Sequence, residues 1–229
     1  TSFDPGFELF ETLRLENGAY PLRSLHLERL QASARTLGFA CDMSPLSSLL
    51  ADEAVRWPMG VLRVRLSLNH AGSCRVVTTP LGEDPVREWR VTIADETLAA
   101  DDYLLRHKTT ARSRYDRALA AVAARPEIFD VIFLNERGEV CEGARSNIFV
   151  ECDDVLLTPP LRCGLLPGVL RRKLLESGRA VERVVRLDDL CRSPAVYVGN
   201  ALRGLIPVIV EPGSSRTVCA TSHCLPGLP

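Results

Sequence analysis

Chemistry in this sequence starts from a single amine. The chain holds 28 Lys plus Arg, and only Lys108 and Lys173 are lysines. Arginine stays protonated and cannot attack a carbonyl, whereas lysine loses its proton when desolvated and can form a Schiff base. Lys108 stands in the run Arg106-His107-Lys108-Thr109-Thr110, with Glu142-Gly143-Ala144-Arg145-Ser146-Asn147-Ile148-Phe149 downstream. A chain that uses arginine almost everywhere and keeps lysine at 108 points to a need for an amine there. The alternative is a surface lysine that escaped the bias.

Three further features bear on that amine. Glu142 ends a short strand beside Gly143, where a carboxylate can project from a sheet. The loop Gly164-Leu165-Leu166-Pro167-Gly168 leads into a helix, and backbone N–H groups at a helix start bind phosphate. Arg29 is a fixed cation that could close a phosphate site from another domain. Amine, carboxylate, phosphate cradle and arginine are together what pyridoxal phosphate needs for its aldehyde, ring nitrogen and phosphate. Taken singly, each has a plainer reading: a loop, a solvated acid, and a surface ion pair of Arg29 with Glu28 worth under about 1 kcal/mol.

The elements that would carry these residues read as α+β in two parts. Residues 7–15 alternate as a half-buried strand. Ser24 is expected to cap a helix with the stripe Leu27, Leu30, Ala34 and Leu37, closed by Gly38, with His26 and Arg29 off the stripe. Ser44-Pro45 is expected to open a second helix. Residues 61–68 form a strand with Arg63 and Arg65 on one face, and residues 75–79 pair back on it. A smaller α/β domain is thus expected over 1–80, a linker over 81–88 and a larger cofactor-binding domain over 89–229. In the larger part, Lys108 precedes a helix bearing Tyr115, Leu119 and Val122. Residues 131–134 make a strand covered on both faces. Strands are expected over 139–142, 147–152, 181–187 and 196–198, with a helix from Gly168 to Gly178. The tail from Pro212 reads as poorly ordered.

Composition narrows the class. With 46% hydrophobic residues and a net charge of -1, the chain can bury a sizeable core. No basic run suggests nucleic acid or an anionic membrane, and no apolar run approaches spanning length. Eight cysteines include no C-x-x-C pair, and four histidines complete no zinc pattern, so no metal is expected. Reduced, mostly buried cysteines in a cytoplasmic protein fit this pattern. The chain begins without methionine, and the expectation is that its start was processed, trimmed or cut from a longer polypeptide.

The sequence resembles the class IV aminotransferase family, the fold type IV pyridoxal phosphate enzymes. The motifs that carry the resemblance are FELFETLR at 7–14, HLERL at 26–30, KTTARSRYD at 108–116, NERGEVCEGARSNIF at 135–149, GLLPGVLR at 164–171 and GNALRGLIPV at 199–208. The resemblance implies that Lys108 holds the cofactor aldehyde and serves as the proton-transfer base, and that Glu142 pairs with the ring nitrogen. It implies that Arg29, the backbone N–H groups of Val169 and Leu170, and Asn200 hold the phosphate. It places the backbone of Ala201 at the substrate carboxylate. Asn147 reads as a structural turn residue.

Within that family the lysine and Asn-Ala-Leu-Arg-Gly motifs look most like 4-amino-4-deoxychorismate lyases, especially those fused behind an aminodeoxychorismate synthase component. Branched-chain aminotransferases carry an aromatic residue five positions after the lysine, and here that residue is Ser113. Arg112 or Tyr115 are then candidates to contact the phenolic oxygen, and Thr12 is a candidate proton donor to the leaving oxygen. The implied reaction yields 4-aminobenzoate and pyruvate, a step of folate synthesis. The alternatives are a D-amino acid or branched-chain aminotransferase, and a non-catalytic relative. A homodimer is implied, with fusion to, or association with, a synthase component as a further option.

Overall fold

The computed structural model describes residues 6–82 and 88–211. Most of the expected linker at 81–88 and the tail from Pro212 lie outside the described residues. The chain divides into two compact units. The first is Thr1–Pro85 with Leu104–Ser113 and Ala201–Gly204; the second is Val86–Tyr103, Arg114–Asn200 and Leu205–Pro229. The lysine segment and the turn after Asn200 therefore group with the first unit, although both follow the linker in sequence.

The first unit contains β1 (Leu9–Glu16), α1 (Arg23–Leu37), α2 (Met43–Arg56), β2 (Val61–Leu68) and β3 (Cys74–Pro80). The strands form an antiparallel sheet in the order β1-β2-β3. Leu9, Leu13 and Leu15 of β1 and Val64, Leu66 and Leu68 of β2 are buried in one cluster with Leu30, Ala34 and Leu37 of α1 and Leu46 and Leu50 of α2. This is the alternation expected of a sheet with one covered face. Ser24 lies inside α1 and does not cap it; Leu22 takes the cap position with no side-chain bond. Gly38 closes α1 at φ 73°, in the left-handed region that glycine tolerates. Asp42, rather than Ser44, caps α2, accepting a hydrogen bond from the Ser44 N–H.

The second unit contains β4 (Trp89–Ile93), α3 (Ser113–Ala121), β5 (Ile128–Leu134), β6 (Val140–Gly143), β7 (Asn147–Cys152), β8 (Val155–Thr158), α4 (Val169–Glu176), β9 (Ala180–Glu182), α5 (Leu187–Arg192), β10 (Val196–Asn200) and β11 (Gly204–Val210). Among the described residues these strands form one sheet of mixed direction, ordered β6-β5-β4-β11-β10-β7-β8-β9. All of β5 is buried, as its apolar run predicts. The strand expected over 181–187 is instead the three-residue β9 followed by α5. Asn147 opens β7 and is no turn residue.

The fold is α+β. Cys141 and Cys163 are buried, but Cys41, Cys74 and Cys152 are half-buried and Cys191 is exposed, so mostly buried cysteines do not hold among the described residues. No helix among them is long and apolar enough to cross a membrane.

Candidate active site

Lys108 is held against β1 through its backbone. The Phe10 N–H donates to the Lys108 carbonyl at 3.0 Å, the Thr110 N–H donates to the Glu8 carbonyl at 2.9 Å, and Leu9 bridges Thr109 antiparallel. The Thr110 hydroxyl accepts the Glu8 N–H at 2.9 Å. Residues 108–110 thus extend the sheet edge by one short segment. The same strand carries Phe10, whose ring centroid lies 4.6 Å from Lys108 Nζ. A cation at that distance over an aromatic face is attracted by the ring quadrupole. His107 is tied to Ser33 at 3.0 Å, and burial followed by the Arg106 charge lowers its pKa.

The opposite face of β1 holds a buried charge cluster. Glu11 occupies a core position in the alternation and is 1% exposed. Arg29 grips it in a two-pronged bond, Nε to Oε1 at 2.8 Å and Nη2 to Oε2 at 2.6 Å, and His26 Nδ1 lies 2.7 Å from Oε2. Burial pushes the Glu11 carboxyl up, but Arg29 and His26 outweigh it and hold the pKa at about 2. The guanidinium that the sequence assigns to a phosphate is therefore oriented by a carboxylate from a neighbouring strand. The parity of β1 was the signal for Glu11, since it shares a face with Leu9, Leu13 and Leu15.

Thr12 and Arg112, both candidates for substrate contact, are half-buried in this unit. Thr12 pairs directly across from Arg65 of β2. Ala201 lines a small cavity with Leu13, Arg14, Tyr20, Leu22 and His26. The Tyr20 hydroxyl has no hydrogen-bond partner among the described residues, and burial, with the nearby Glu53 charge, pushes its pKa up to about 12.

In the second unit Glu142 ends β6 and is 6% exposed. Both carboxylate oxygens are engaged: the Tyr115 hydroxyl donates to Oε1 at 2.6 Å and the Leu166 N–H donates to Oε2 at 2.9 Å. Asn147 Nδ2 donates to the Leu166 carbonyl at 3.0 Å. The glycine-bearing loop is thereby fastened both to Glu142 and to the start of β7. Gly168 has to be glycine, because a Cβ there would fall 1.8 Å from Asn147 Oδ1. Gly168 also caps α4 and brings no side chain to its first N–H groups, those of Val169 and Leu170. Asn200, at the end of β10, donates to the Arg145 carbonyl at 3.3 Å.

Asp130 anchors the turn after Glu142. It is fully buried and accepts hydrogen bonds from the N–H groups of Val131 and Arg145 and from the Ser146 hydroxyl. Burial raises its pKa against these donors. A Cβ at Gly143 would lie 2.3 Å from Asp130 Oδ2, which fixes glycine after Glu142. Asp130 was missed in the sequence, although an acid inside the apolar run Ile128–Leu134 marks a buried polar role. Lys173, the second lysine, lies exposed on α4. No group of three or more His, Cys, Asp and Glu among the described residues could hold a metal ion.

Comparison with known proteins agrees with the resemblance read from the motifs. The family model for amino-transferase class IV matches residues 8–209. A solved structure of a candidate amino-acid aminotransferase from Mesorhizobium loti is 40% identical, with a TM-score of 0.83 over 90% of this chain and 100% of that one. A hypothetical aminotransferase from Mycobacterium tuberculosis, solved in a PLP-bound form, is 25% identical with a TM-score of 0.79, over 93% of this chain and 84% of that one. A bifunctional aminodeoxychorismate lyase / D-amino acid transaminase of Mycobacterium tuberculosis is 28% identical over 97% of this chain and 83% of its own length. With its fold, its motifs and this match over most of its length, the chain belongs to the class IV aminotransferase family.

Proposed function

We propose that the protein is a pyridoxal phosphate enzyme that converts 4-amino-4-deoxychorismate to 4-aminobenzoate and pyruvate. The residues present fit that cofactor. Glycine at 168 leaves the start of α4 without a side-chain cap, the carboxylate of Glu142 is fixed by two donors, and Lys108 offers an amine. In this reading Lys108 holds the aldehyde, Glu142 faces the ring nitrogen, and Arg29, Asn200 and the N–H groups of Val169 and Leu170 hold the phosphate.

Bound in this way, the cofactor would withdraw electrons from the carbon that carries the substrate amine. Lys108 would serve as the base for the proton on the carbon that bears the substrate amine. Glu142, steadied by Tyr115 and the Leu166 N–H, would favour the protonated form of the ring nitrogen. The bond from the neighbouring carbon to the enolpyruvyl oxygen breaks, and Lys108 or the Thr12 hydroxyl gives that leaving group its proton. The Ala201 N–H is assigned to a substrate carboxylate.

The observation that carries the lyase reading is the use of Tyr115. Ser113 stands where branched-chain relatives carry an aromatic residue, and the aromatic two positions later is spent on Glu142 at 2.6 Å. A transaminase reading stays alongside it, because one relative is described by both activities. Incubating the protein with pyridoxal phosphate and enzymatically made aminodeoxychorismate tests the choice. Release of 4-aminobenzoate and pyruvate supports the lyase. Amino-group exchange between D-alanine and 2-oxoglutarate, with no 4-aminobenzoate, refutes it.

A further inference from the structure

Lys108 belongs to no strand of its own. Thr109 meets Leu9 in an isolated antiparallel bridge, and the backbone bonds to Phe10 and Glu8 lie to either side of it. Yet the side on which Lys108 projects decides whether its amine can react. Leu9, Leu13 and Leu15 of β1 point into the core beneath α1, and Glu11 points with them to Arg29 and His26. Phe10 points the other way, and Lys108 Nζ lies over its ring. A slip of one residue in so short a pairing would turn Lys108 to the core side and leave the Phe10 face without an amine.

His107 opposes that slip. Alternation sends it to the side opposite Lys108, and there its Nδ1 lies 3.0 Å from Ser33 Oγ on α1. Ser33 is 5% exposed and sits one helical turn beyond Arg29. The His107 N–H donates to the Leu104 carbonyl at 3.0 Å, closing the short helical turn Tyr103–Arg106 ahead of the lysine. Burial and then the Arg106 charge lower the pKa of the ring, which keeps it uncharged near neutral pH. Plain satisfaction of polar groups does not call for this bond. A helical serine can bond the carbonyl one turn back, and a half-buried imidazole can bond water.

We propose that His107 is a positioning residue, whose bond to Ser33 sets the side and register of the lysine segment so that Lys108 faces the Phe10 side. The same helix carries Arg29, so α1 would hold the cofactor's phosphate and the amine that takes its aldehyde at a fixed spacing. The proposal rests on Lys108 being the reacting amine and deepens that reading by naming what aims it.

The test is borohydride trapping at a subsaturating concentration of pyridoxal phosphate, with peptide mapping of both lysines. Lys173, exposed on α4, is the internal reference. His107→Phe keeps a ring and loses the bond, and Ser33→Ala removes the other partner. Each should lower the ratio of pyridoxyl on Lys108 to that on Lys173 roughly fivefold or more, the scale of one hydrogen bond. His107→Asn, whose amide can stand in for Nδ1, should restore most of it. The double variant should lose no more than either single one. The visible absorbance of the bound cofactor should fall with the Lys108 label and recover in His107→Asn. Ser33→Ala keeps the test open if His107→Phe does not fold. An unchanged ratio in Ser33→Ala, or an equal loss in His107→Asn and His107→Phe, overturns the proposal while Lys108 remains the labelled residue of the parent. A parent with no pyridoxyl on Lys108 refutes the underlying reading, and the proposal with it.

Discussion

The Tyr115 hydroxyl donates to Glu142 Oε1 at 2.6 Å, and the other carboxylate oxygen accepts the Leu166 N–H. The acid is thus aimed by the Tyr115 side chain and the Leu166 backbone. Glu142→Gln should lower kcat about 100-fold or more, since in the proposed role a neutral amide lacks the negative charge that favours a protonated ring nitrogen. Tyr115→Phe should cost roughly tenfold, the scale of one hydrogen bond to a charged group. Steady-state kinetics on the two variants separate these outcomes, and equal losses would contradict the assigned roles.

Glu11 ties β1 to α1 through Arg29 and His26. Glu11→Gln removes one partner of a buried pair and leaves the other uncompensated, an effect of about 3–5 kcal/mol. Urea unfolding measures it, and a loss below about 1 kcal/mol would show that the pair is not buried in solution.

Acid should act on the same cluster. The folded pKa of Glu11 is about 2, below its ordinary value of 4.5. Its contribution is therefore complete above pH 4.5 and fades as pH falls toward 2. Stability of the parent should drop more steeply across that window than stability of Glu11→Gln, as followed by thermal melts at stepped pH.

Gly143→Ala would set a methyl carbon against the Asp130 carboxylate, 2.3 Å from Oδ2 unless one of them shifts. The expected loss is about 1–3 kcal/mol, read as a lowered melting temperature. A melt indistinguishable from the parent would mean that Asp130 does not occupy that position.

Much of this molecule could be read from local pattern. The apolar run of β5, the β2–β3 hairpin and β7, whose observed span Asn147–Cys152 matches the expected one, follow from alternation and turn residues. Short elements escaped. Val155–Thr158 is too brief for periodicity, the strand begun at Ala180 was read too long because α5 follows it, and Pro207 obscures β11. Pairing between distant segments also escaped. Nothing near Lys108 in sequence says that its carbonyl is bonded to Phe10, and nothing near Arg29 says that Glu11 grips it. Residue types at 108 and 142 were legible because their chemistry is scarce in this chain, whereas their partners lie far away in sequence.

The account depends on Lys108 being the amine that meets the cofactor aldehyde. With only two lysines in the chain, borohydride reduction of the pyridoxal phosphate-loaded protein followed by peptide mapping reads this directly. The account predicts the reduced pyridoxyl group on Lys108. Its appearance on Lys173, or on neither lysine, would contradict it.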